Sequence, residues 1–253
     1  MKNCVLFCFI FFITISTALQ AQIYRDKNEN FKFQHFTSAQ GLSQRSVMGI
    51  LQDKKGYVWF GTRDGLNKFD GSKFVVYRHR SEDKNSLSNN YIQTIHEDTH
   101  GNLWIGTQNG VNKFDPDKNN FIHFQYSDTK NSITGNIIWD IIQLNENLIW
   151  LATSNGISQV DITTKKITRL KETSNNFHFL NNNTRSFLKT NKGELWICNT
   201  QYIDVYNPKN GFFKHYNFPN YRNKDIYSND RPTLFQDSKN RIWLGYEKGL
   251  AEF

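Results

Sequence analysis

Cysteine is almost missing from this chain, with 3 in 253 residues, and two of them, Cys4 and Cys8, fall in the first ten positions. Once those leave with an N-terminal leader only Cys198 remains. One thiol cannot close an internal disulfide, so packing has to hold the fold even in an oxidising compartment. Long apolar runs are scarce too. The single one, residues 5–13 (VLFCFIFFI), is shorter than the roughly 20 residues a spanning helix needs. With Lys2 before it and small or polar residues after it, it reads as a secretory signal peptide over residues 1–21, cleaved after Ala21. No cysteine follows the run where a lipid anchor would require one, and no second hydrophobic span occurs. The net charge is +8, or +7 without Lys2, yet the lysines and arginines are scattered among Asn, Asp and Glu with no long basic run. That pattern describes a solvated basic surface rather than a nucleic-acid face, and export removes nucleic acid as a partner.

What is abundant is aromatic residues, at 15%, with 15 glycines against 4 prolines, a balance suited to an all-β protein with many tight turns. The aromatics are ordered. Trp59, Trp104, Trp150, Trp196 and Trp243 are spaced by 45, 46, 46 and 47 residues, and similar sequences surround them, from YVWFGTRDGLNKFD to RIWLGYEKGLAEF. Two residues after each Trp stands Gly61, Gly106, Ala152, Cys198 or Gly245. Three residues before it stands Gly56, Gly101, Asn147, Gly193 or Asn240, the residue types that accept a left-handed backbone, so a positive-φ hairpin turn is expected in all five copies. An Asp in DKKG, DTHG and DSKN is placed to close that turn through its own side chain.

Each copy divides into four short runs rich in β-branched and aromatic residues, separated by turn signals. Four antiparallel strands recurring at this period define a β-propeller blade. The 3.6-residue apolar stripes of helical solenoids are absent. The expected fold is therefore all-β, a propeller of about five four-stranded blades over residues 22–253. The blades lie near 45–79, 90–126, 136–170, 182–216 and 229–253, with 31–37 as a lone outer strand. The anchoring Trp is expected to wedge between blades, since one blade cannot bury both faces by itself. Two closures are open: a five-bladed ring completed by residues 31–37, or the N-terminal part of a seven-bladed propeller, which is the favoured expectation.

The segments GLSQRSVMGILQDKKGYVWFGTRDGLNKFDGSKFVVY and NSLSNNYIQTIHEDTHGNLWIGTQNGVNKFDPDKNNFIHF closely resemble the two-component regulator propeller repeat. The likeness extends over about residues 31–253 and weakens in copy four, where Cys198 and Tyr202 replace glycines. Members of that family are typically hybrid sensor histidine kinases of carbohydrate-degrading bacteria, with two seven-bladed propellers and a small β-domain in the periplasm ahead of a membrane helix and a kinase. The resemblance thus implies a periplasmic, oligosaccharide-sensing region, truncated before any kinase, with membrane attachment and a homodimer belonging to the full-length sensor.

His96 to His100 spells H-E-x-x-H, but a zinc site in that motif needs a helix, and these residues align with a strand and its turn in the other copies. No nucleophile elbow, P-loop or paired-Cys spacing occurs. No catalytic residue, metal or cofactor is therefore expected. Ligand-binding candidates gather on one rim, where the loop leading into each blade and the loop between its second and third strands emerge together. They are Arg45, Asn90 and Asn136 from the first set and Arg63, Asp64, Gln108 and Asn109 from the second, with Arg185, Arg231 and the unrepeated Trp139. Amides and guanidinium groups suit sugar hydroxyls and uronate carboxylates, and an aromatic ring suits stacking. The same Asn residues could simply form turns, and Trp139 could simply pack. A propeller glycosidase or lyase and a protein-interaction scaffold stand as the alternative functions.

Overall fold

The strands follow the Trp register. A computed structural model describes residues 33–170, 183–200, 202–217, 232–246 and 249–253; the expected signal peptide lies outside them. The first blade holds β1 (Val47–Gln52), β2 (Val58–Thr62), β3 (Gly65–Phe69) and β4 (Phe74–Tyr77). The second holds β5 (Ile92–Glu97), β6 (Leu103–Thr107), β7 (Gly110–Asp115) and β8 (Asn120–Phe124). The third holds β9 (Ile138–Asn145), β10 (Leu148–Thr153), β11 (Gly156–Asp161) and β12 (Ile167–Leu170), and the fourth β13 (Thr184–Lys189), β14 (Leu195–Asn199), β15 (Tyr202–Asn207) and β16 (Phe212–Asn217). The last has β17 (Thr233–Gln236), β18 (Ile242–Tyr246) and β19 (Gly249–Glu252). Every sheet is an antiparallel meander in chain order, four of them four-stranded and the fifth three-stranded. The first strand of each blade touches the first strand of the next, from β1 through β5, β9 and β13 to β17. These are five successive blades of a β-propeller. Among the described residues no comparable contact joins β17 to β1.

The core lies in the seams. Trp59, Trp104, Trp150 and Trp196 are all buried, each within a cluster shared by two neighbouring blades. Trp59 meets Phe114 of the second blade edge-on at 5.5 Å, and Trp150 stacks with Tyr206 of the fourth at 6.2 Å. Burying one such ring contributes about 2–3 kcal/mol. The glycine two residues after Trp lets the sheets close up: a Cβ on Gly106 would stand 2.8 Å from Ile138 of the next blade.

The β1–β2 type of turn works as its sequence implies in four blades, with positive φ at Gly56, Gly101, Gly193 and Asn240. The third blade departs from the expectation. There Asn145 pairs with Leu148, leaving Glu146 and Asn147 as a two-residue turn, and Asn147 is not in the left-handed region. The turn aspartate does more than close its loop. Asp53, Asp98 and Asp237 each accept the indole N–H of their own blade's Trp, at 2.8, 2.9 and 3.0 Å. Thus Asp, Gly or Asn three residues on, and Trp three further form one unit, in which a carboxylate satisfies the indole donor, one that burial would otherwise strand at Trp59 and Trp104.

Residues 33–37, expected as part of an outer strand, form no strand; residues 31 and 32 lie outside the described residues. Phe36 instead packs edge-on against Phe69 and Phe74, at 5.0 and 5.6 Å, on the face of the first blade turned away from the second.

Candidate ligand-binding mouth

The rim carrying the β2–β3 type of turn is braced by a buried polar triad repeated in three blades. The Ser43 hydroxyl meets Thr62 at 2.8 Å and accepts from Asn67 Nδ2 at 2.8 Å, while Ser43 N–H donates to Asn67 Oδ1 at 2.8 Å. Ser88, Thr107 and Asn112 repeat this, as do Thr134, Thr153 and Ser158. The incoming loop is thereby bonded to strands β2 and β3 or their counterparts. The signal was present in the sequence as GLS, SLS and SIT at one register, with Thr and then Asn or Ser following at fixed distance.

On that base the rim candidates separate by role. Asn90 accepts His79 N–H on its side chain at 2.6 Å and Gly65 N–H on its backbone carbonyl at 2.8 Å. Asn136 does the same with Tyr126 at 2.7 Å and Gly110 at 2.6 Å. Both amide oxygens therefore tie the outer strand of one blade to the loop leading into the next. Asn109 donates to Ser88 O at 3.3 Å, and Asp64 pairs with Arg78 at 3.1 Å. Arg45 and Gln108 are exposed, as is Arg63, whose guanidinium carbon lies 5.4 Å from the Tyr91 ring centre. Arg231 lies outside the described residues.

Trp139 and Arg185 do come together. They are the second residues of the neighbouring innermost strands β9 and β13, and the guanidinium carbon lies 3.9 Å from the indole centre. At that distance the flat cation lies on the ring face and is attracted by its quadrupole. Gln93 holds the equivalent place on β5 and is buried, as Arg185 is. Sequence reasoning passed over the next residue, Asp140. Its carboxylate accepts Ile141 N–H and Phe187 N–H, each at 2.8 Å, and a hydrogen bond from the Thr94 side chain. It thus bridges three consecutive blades. Desolvation pushes its pKa up to about 6 against those hydrogen bonds. The only hint in the sequence is that an acid stands where the other copies have Gly49, Thr94, Ser186 and Thr233.

The H-E-x-x-H segment runs out of β5 into a turn, so its two histidines share no helix face. His96 is on the strand with its pKa lowered by burial, and His100 is exposed in the turn.

Residues 41–64 and 86–109 match the two-component regulator propeller family. Each match runs from the incoming loop through the Trp strand to the β2–β3 type of turn, the part that builds the rim. Those two segments are two-component regulator propeller repeats. Histidine kinase P4 of Formosa agariphila is 50% identical over 88 residues, which is 35% of this chain and 6% of that protein. The extracellular domain of the hybrid two component system BT3049 from B. thetaiotaomicron superposes with a TM-score of 0.72 at 27% identity, over 87% of this chain and 30% of that one. The virginiamycin B lyase of Staphylococcus aureus, at 14% identity and a TM-score of 0.56 over 82% of this chain and 69% of its own, shares the fold. The chain thus shares a β-propeller fold with these proteins, and it spans less than a third of the BT3049 extracellular domain.

Proposed function

We propose that this chain is the exported, periplasmic ligand-sensing part of a two-component sensor, and that it binds an oligosaccharide at the mouth formed by the rim ends of its innermost strands. The observation that carries the reading is the Trp139–Arg185 stack, an aromatic ring and a cation held at 3.9 Å on adjacent strands where the other blades place unrelated residues. Sugar rings stack on aromatic faces, and their hydroxyls or carboxylates accept from a guanidinium fork. Exposed Arg45, Arg63 and Gln108 on the same rim offer further donors. In this role the propeller does no chemistry, and phosphoryl transfer belongs to other parts of the sensor. The open faces of the first and last blades support a further part of the reading, that additional blades complete a larger ring.

A propeller glycosidase or lyase is the second reading, and Asp140 is the group that favours it, since a carboxyl with pKa near 6 suits a general acid. Its oxygens are taken up by backbone N–H groups of two blades, a structural use. Calorimetry of the chain against neutral and acidic oligosaccharides decides between them. Saturable binding without turnover, weakened at least tenfold by Trp139→Ala in a variant that keeps its β-sheet circular dichroism, supports sensing. No heat with any oligosaccharide of a broad panel removes it, and release of cleaved product replaces it with the enzyme.

A further inference from the structure

At the end of the strands opposite the mouth, the seam between the first and second blades opens into a cleft of about 490 Å³. That volume is within the range of small-molecule sites, about 300–1,000 Å³. Trp59, Leu103 and Phe114 line its apolar side, and Lys54, Lys68 and Tyr57 its polar side. The Lys68 ammonium lies 3.6 Å from the Tyr57 ring centre and 5.5 Å from that of Trp59. The Lys54 ammonium donates to the carbonyls of Asp98 and Thr99 in the second blade's turn, at 3.0 and 2.8 Å.

The charges in this cleft do not cancel in pairs. Its two carboxylates are already used: Asp53 accepts Trp59 Nε1 and the Lys55 and Tyr57 N–H groups, and Glu97 accepts Lys54 N–H at 3.0 Å. Among the described residues, neither ammonium has a carboxylate within ion-pair distance. An ammonium has three donors. Lys54 has one to spare after its two carbonyls, and Lys68 is committed only to ring faces. A second cleft of about 500 Å³ between the outer strands of the same blades shows the contrast. Its Arg78 and Arg80 are neutralised by Asp64 and Asp83, at 3.1 and 2.7 Å.

This cleft is also specific to one seam. The place of Lys54 is taken by Thr99, Asn145, Asn191 and Ser238 in the later blades, and that of Lys68 by Lys113, Gln159, Val205 and Glu252. Only the first blade supplies both cations, so the repeat by itself does not require them.

We propose that this cleft binds a sugar acid, with its carboxylate between the Lys54 and Lys68 ammonium groups and its ring against the apolar side. The site is separate from the mouth and stands whether or not the mouth binds sugar. Trp59 lines the cleft, so its fluorescence reports occupancy. The whole chain is titrated with sodium glucuronate, glucose and sodium sulfate at constant ionic strength. Glucuronate gives a saturable fluorescence change, glucose gives none, and sulfate is at least tenfold weaker. Lys68→Gln and Lys54→Gln each weaken glucuronate binding about tenfold or more, as expected for loss of a charge-assisted hydrogen bond. Lys113→Gln, which removes the cation beside Trp104 in the next seam, leaves it unchanged. Lys54 also bonds the two blades, so Lys68→Gln decides if the other variant loses its fold. A response to glucuronate no stronger than to sulfate, or one that survives Lys68→Gln, overturns the proposal.

Discussion

Ile50 and Ile141 occupy the same place in two blades, on an innermost strand across from Phe60 and Leu151, yet one is 66% exposed and the other 4%. The difference is position in the stack. Ile141 faces the second blade, whereas Ile50 is on the face of the first blade that no described blade covers. The far end repeats the pattern: Leu250 is 66% exposed, while its counterparts Leu66 and Ile203 are fully buried. Apolar residues are therefore written into every blade for a neighbour on both sides, and among the described residues only the inner blades have two. Sequence periodicity specifies the blade, and stacking decides what each apolar residue is worth.

The largest test of that contrast is truncation at the two isoleucines. Ile141→Ala is expected to cost about 3–4 kcal/mol, the usual loss for emptying a close-packed site. Ile50→Ala should cost under about 0.5 kcal/mol, as a substitution on an open surface. Urea unfolding of both variants measures the gap. Equal losses would mean that something covers the first blade's outer face, and the same pair in a longer form of the protein would show whether further blades do so.

The indole caps sharpen the comparison, because one motif occurs in both settings. Trp104 is buried and Trp243 is on the open side of the last blade, and each indole N–H is held by its turn aspartate. Asp98→Ala strands a buried indole donor and releases Asn102, whose side chain also binds that carboxylate, for an expected loss of about 3 kcal/mol. Asp237→Ala lets water take over at Trp243 and loses only exposed turn bonds to Lys239 and Arg241, for an expected cost of about 1 kcal/mol. A large loss at Asp237 would show that the last blade is closed off from solvent.

The repeat could be read from the sequence because the Trp anchors, the turn residues and the strand lengths all say the same thing. Less legible were features in which one residue serves two partners. The turn aspartates could be predicted to close their loops, but not to reach an indole six residues on. Asn90 and Asn136 have the amides a sugar site needs, and the structure spends their oxygens on His79 and Tyr126. Asn147 was expected to mimic Gly56, but β9 runs on to Asn145 and the chain turns through Glu146 and Asn147 with neither in the left-handed region. In each case a local signal was right about chemistry and silent about partners across the seam. Asp140 is the extreme case, since its partners come from the blades before and after its own.

Two seam carboxylates also predict opposite pH behaviour. At Asp98 burial favours the neutral form, but hydrogen bonds from Trp104 and Asn102 outweigh it and hold the pKa below the usual value. Its stabilisation is present above the ordinary aspartate range and is lost as pH falls through the lowered folded value. At Asp140 desolvation wins, and the folded pKa stands near 6 against an ordinary 3.8. The native state then binds the proton more tightly than the unfolded chain, so this stabilisation is complete below about pH 4 and is lost as pH rises through about 6. After allowance for partial exposure the change amounts to about 1–2 kcal/mol. Asp140→Asn keeps the acceptor oxygen for Phe187 N–H and removes the titration. The parent's stability relative to this variant should fall between pH 4 and pH 7 in parallel urea titrations. A difference that is flat, or that rises with pH, would mean that the blades around Asp140 leave its carboxylate as well solvated as an exposed one.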